Sequence, residues 1–137
     1  MSALKSFEWA VEQKNAGKCI LSGFHSYIEK EVMDILLRGN QPMIIVEMNN
    51  IKKKYPENIE KALDSGRLLI LAPFSSDKEK RPSAKSAEKR NRYMINMADE
   101  ICIGYASSGG MIEKLINEKI NSSHKKMIFL EKQIYKG

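Results

Sequence analysis

Short runs that are apolar at every position, with no alternation of polar and apolar residues, constrain this chain more than any other feature. Met43-Ile44-Ile45-Val46 and Leu68-Leu69-Ile70-Leu71 are the clearest two. A strand with one face in water alternates, whereas a continuous apolar run requires cover on both faces, an arrangement typical of parallel sheets layered between helices. The intervening segments have helical spacing: Ile28, Val32, Ile35 and Leu36; Ile59, Ala62 and Leu63; Tyr93, Met94, Met97 and Ala98; Met111, Ile112, Leu115 and Ile116. A first helix reads from about Ser2 to Asn15, with Leu4, Phe7 and Val11 on one face and Ala16-Gly17 as its stop.

Three more strands complete the alternation: Lys18-Cys19-Ile20-Leu21, Ile101-Cys102-Ile103-Gly104-Tyr105, and Lys126 to Leu130. Pro56 suits the first turn of one helix, and Gly39 and Gly66 fit just past the ends of two others. The expectation is an α/β fold, a Rossmann-like three-layer sandwich around a mainly parallel sheet of about five strands. At 137 residues and 42% hydrophobic, the chain has the size of one globular domain spanning residues 1–137.

Several function classes lose support at once. The longest uncharged apolar stretch, Leu68 to Phe74, is about a third of a bilayer span, so no membrane partner is expected. Lys5 and Glu8 interrupt any secretory leader ahead of Trp9, which suggests a cytoplasmic protein. Cys19 and Cys102 sit apart in apolar runs with no metal-ligand spacing, so both read as buried reduced thiols, and neither a metal nor a cofactor is implied. His25 and His124 have no acidic residue placed to orient them, so no catalytic residue is assigned.

Charge points elsewhere. The chain carries 23 Lys and Arg against 17 Asp and Glu, a net +6. Lys78 to Arg92 alone holds seven basic residues and two acidic ones, so nearly all of the excess lies there. A run of that kind is either a solvated face or the footprint of an anionic partner such as phosphate or nucleic acid. In parallel sheets ligands bind beyond the carboxyl ends of the strands, where helix amino termini present free N–H groups. Three polar elements fall there: Ser22-Gly23-Phe24-His25, the Lys89-Arg90-Asn91-Arg92 cluster, and Ser107-Ser108-Gly109-Gly110. Each alone is an ordinary turn or a surface charge, and Arg90 and Arg92, two apart on a helix, face different ways. Together they outline a phosphate pocket, with glycine giving close backbone approach and arginine a planar fork of donors.

Taken in order, Ser22-Gly23-Phe24, Tyr55-Pro56-x-Asn58, Arg90-Asn91-Arg92 ahead of Asp99, and the Ser-Gly-Gly loop resemble the DNA-processing protein A (DprA/Smf) family over roughly Ser2 to Leu130. The resemblance implies a non-catalytic domain that binds single-stranded DNA or a nucleotide phosphate and acts in DNA recombination. His25-Ser26-Tyr27-Ile28-Glu29 departs from the Arg-Gly-Ile-Asp run that the family has after its Ser-Gly turn, and the family places a further strand ahead of the helix that opens this sequence. Five strands without that one leave an apolar edge, so a homodimer or larger oligomer is expected, with the first helix around Trp9 as one surface. The alternative is a LOG-type nucleoside-monophosphate phosphoribohydrolase or small-nucleotide sensor from the same superfamily. Against it, Asn91 replaces that group's lysine, and Gly109-Gly110-Met111-Ile112-Glu113 lacks its second glycine, its threonine and its glutamate spacing.

Overall fold

A computed structural model describes residues 2–78, 81–104, 111–120 and 125–130. Five helices and five strands alternate along them: α1 (Ser2–Ala16), β1 (Ile20–Ser22), α2 (Tyr27–Leu37), β2 (Met43–Val46), α3 (Glu57–Asp64), β3 (Leu68–Leu71), α4 (Ala84–Met97), β4 (Glu100–Ile103), α5 (Met111–Ile120) and β5 (Lys126–Phe129). No helix among the described residues is long and apolar enough to cross a membrane.

Local chemistry sets the helix limits. Gly17 adopts φ +71 and its N–H reaches the Lys14 carbonyl, closing α1 in the left-handed conformation that costs glycine nothing. Ser26 opens α2 with a reciprocal cap, its hydroxyl accepting from the Glu29 N–H while Glu29 accepts from the Ser26 N–H. Ser83 and Ser86 do the same for α4, which places the latter part of the basic run on an ordered helix. Arg67, just ahead of β3, donates to the carbonyls of Leu37 and Gln41, each at 2.6 Å, and so satisfies the open end of α2.

The strands are all parallel, as expected, but they form two sheets and not one. β1, β2 and β3 pair in that order, with Leu21 opposite Ile44 and Ile44 opposite Leu69. β4 and β5 form a separate pair, with Cys102 opposite Ile128. The core divides in the same way. Met43 and Val46 of β2 and Leu36 of α2, all under 2% exposed, are buried at the larger sheet, whereas Ile103 of β4 and Ile116 of α5 centre a smaller cluster at the β4–β5 pair.

Three expectations from sequence change here. The inward face of α1 runs along Ser6 and Ala10, at 5% and 0% exposure, while Leu4 and Val11 stand exposed. Ala10 joins the core cluster with Val32 and Leu36 of α2, the most extensive helical neighbour of α1, whereas Ser6 lies beside Gly104 at the end of β4. Leu69 is 51% exposed because β3 is an outer strand, so a continuous apolar run does not guarantee cover on both faces. Cys19 is exposed in the connection ahead of β1, whereas Cys102 in β4 is half-buried; both are free thiols.

Candidate functional site

The two sheets face each other across a trough of about 530 Å³, walled by Ile20–Ser22 on one side and Glu100–Ile103 on the other. Its polar end lies where β1 stops. There Ser22 donates a hydrogen bond to Glu29 (3.1 Å) and accepts one from the Phe24 N–H (3.1 Å), which turns the chain sharply. Phe24 takes φ +48, a left-handed conformation that costs a non-glycine residue on the order of 1 kcal/mol. Its ring is 5% exposed in the main core, and burial of a phenylalanine offsets that strain. The turn is therefore held by packing on one side and by Glu29 on the other.

Gly23 sits at its apex, against Arg90 from α4. A Cβ at Gly23 would lie 2.7 Å from one Arg90 terminal nitrogen and 2.8 Å from the guanidinium carbon, so only glycine lets the guanidinium rest there undisturbed. Arg90 is 8% exposed, yet among the described residues its Nε has no hydrogen-bond partner, and the bond from a terminal nitrogen to Asn91 Oδ1 is a long 3.4 Å. Buried guanidinium groups normally find a carboxylate. The two whose charges act on it are committed elsewhere: Glu29 to Ser22 and Ser26, and Glu47, just past β2, to the Tyr55 hydroxyl at 2.7 Å. Burial pulls the Arg90 guanidinium below its ordinary value, and the charges of Glu29 and Glu47 oppose that shift. Arginine does not deprotonate in proteins, so the site holds an incompletely satisfied cation.

The remaining residues of the expected pocket separate. Asn91 lines the trough and its amide donates to the Met111 sulfur (3.4 Å), which brings the start of α5 alongside. His25 and Lys89 are exposed to solvent. Arg92 points away from the trough into an exposed network with Glu118 (2.5 Å) and Glu88 (3.1 Å), which Lys114 joins through Glu88. Ser107, Ser108, Gly109 and Gly110, with Tyr105 and His124, lie outside the described residues. Among the described residues no group of acidic, histidine or cysteine side chains is placed to hold a metal ion.

Glu29 and Glu47 were not picked out from sequence. Ser26-x-x-Glu29 is a capping-box pattern and made Glu29 findable, and Glu47 is a charge set directly at the carboxyl end of an apolar strand. Burial raises the phenol of Tyr55, the partner of Glu47, to about 12. The arrangement offers one recessed cation, a glycine approach and an apolar trough beneath them. No family model, curated protein or solved structure matches the chain.

Proposed function

We propose that this chain is a non-catalytic binding domain of the DprA/Smf type, its two sheets forming the halves of a Rossmann-like sandwich, and that it takes a phosphate of a nucleotide or of single-stranded DNA at Arg90. The supporting observation is the Arg90 guanidinium, buried to 8% exposure against Gly23 with its Nε unpartnered. A phosphate oxygen supplies the missing acceptor with a charge-assisted, directional bond. Lys89, on the solvent side of the same helix, adds longer-range attraction for a polyanion.

Binding of an oligonucleotide followed across a salt series tests this reading. Affinity that falls with salt in the wild type, and falls less steeply in Arg90→Met, supports it; binding that ignores both salt and the substitution refutes it.

Hydrolysis of a nucleoside monophosphate is the competing use of the same trough, because two carboxylates, Glu29 and Glu100, line it. Glu29 accepts hydrogen bonds on both oxygens, and Glu100 is paired with Lys18 and Lys126, so both are tied to structural partners. Release of free base from a nucleoside monophosphate is the measurement that would favour the hydrolase. Self-association through α1 belongs to the proposal as well, since Leu4 is 60% exposed and Val11, two turns along the same face, 40%.

A further inference from the structure

The trough that separates the sheets has strand edges for banks. Among the described residues β1 pairs only with β2 and β4 only with β5, so each turns an unpaired edge toward the other. Both edges line the same cavity. At one end Lys18, just ahead of β1, is 3.6 Å from Glu100 at the start of β4, which brings the amino-terminal ends of the two strands together. Neighbouring strands lie about 4.8 Å apart, so two such edges need a gap of roughly two spacings to admit one more strand between them. Trp9, Val32, Met94 and Ile116, from four different helices, wall the gap with apolar surface.

We infer that the trough is a receptor slot for one extended, apolar peptide strand contributed by another polypeptide, which would join the two sheets into one. The main-chain groups on the two banks identify the occupant. A compact apolar molecule filling the volume would leave two rows of N–H and C=O groups without partners, and an extended backbone satisfies both rows at once. Apart from Glu100 at one end and Ser22, Glu29 and Arg90 at the other, most of the lining is apolar and requires side chains without charge, so the incoming segment is a continuous run of Val, Ile or Leu about four residues long, matching β4. A second copy of this chain is a poor donor, because its own runs of that kind, Met43–Val46 and Leu68–Leu71, are already paired within a sheet.

The test adds a synthetic peptide, a Val-Ile-Val-Ile core flanked by lysines, to the intact protein. A control peptide carries methyl groups on alternate backbone nitrogens. Two signals are read: amide hydrogen exchange along β1 and β4, and the alkylation rate of Cys102, which lines the slot, against that of Cys19, which does not. The slot predicts saturable binding that slows exchange on both strands by at least about ten-fold. Cys102 alkylation slows by a similar factor and Cys19 alkylation is unchanged. The methylated control does neither, and Arg92→Ala protein, altered outside the trough, binds the first peptide as well as wild type does. Protection on one strand only, equal binding of the methylated peptide, no protection at all, or protection that appears without peptide as the protein dimerises would each overturn the inference.

Discussion

Substituting Gly23 by alanine separates the site from the fold more cleanly than removing Arg90 itself. The new methyl would meet Arg90 Nη1 at 2.7 Å and Cζ at 2.8 Å, well inside contact distance. Gly23 has an ordinary φ, so alanine brings no backbone strain, and the obstructing atoms are the far end of a flexible side chain. The guanidinium is therefore displaced at a cost of about 1 kcal/mol, part of which the reduced chain entropy of the unfolded state offsets. Binding pays more heavily. A hydrogen bond to a charged group contributes about 1.5–3 kcal/mol, so affinity for a phosphate held by Arg90 should fall roughly ten- to a hundred-fold. Fluorescence anisotropy of a labelled oligothymidylate at several salt concentrations reads this directly. The slope of log affinity against log salt should shrink by about 0.7, one single-strand phosphate contact, while the melting temperature moves by only a few degrees. If Gly23→Ala protein binds with wild-type affinity and slope, Arg90 is not the anion ligand.

Arg92→Ala should leave oligonucleotide affinity and salt slope unchanged, because that side chain is paired with Glu88 and Glu118 outside the trough; a loss equal to that of Gly23→Ala would move the site to the exposed face of α4. Burial raises the Tyr55 phenol to about 12 from its ordinary 10.0, so its contribution to stability is intact below pH 10 and is lost between about 10 and 12, where the unfolded chain ionises first. Denaturant titrations over that range should show the decline, and Tyr55→Phe should flatten it while costing about 1–3 kcal/mol at neutral pH by leaving Glu47 without its partner. Arg67→Ala removes the hydrogen bonds that hold the end of α2 and should cost about 3 kcal/mol in urea unfolding, with no change in anion binding. Light scattering at micromolar concentration should show a dimer that Leu4→Glu with Val11→Glu reduces to a mass near 15.6 kDa; a wild-type monomer at every concentration would rule out self-association through α1.

What the sequence disclosed follows from how local each feature is. β2 and β3 were legible to the residue because every position of Met43–Val46 and Leu68–Leu71 is apolar, and the alternation with helices fixed the α/β class and the parallel sense. The break between β1 and β4 was not legible, since pairing joins residues some 80 positions apart and leaves no mark in either strand. The buried face of α1 was not legible because it runs along Ser6 and Ala10, which a count of large apolar residues ignores. Helical spacing was enough to part Arg90 from Arg92, but which one turned inward depended on the glycine opposite it. The committed state of Glu29 and Glu47, which leaves Arg90 unsatisfied, is a matter of tertiary geometry alone.

A crystal grown with a short single-stranded oligonucleotide tests the central claim most directly. The account predicts a phosphate above Gly23, with an oxygen within about 3.2 Å of Arg90 Nε or a terminal nitrogen, and Arg92 still paired with Glu88 and Glu118. A strand held by Lys89 and Arg92 on the outer face of α4, with Arg90 untouched, would contradict it.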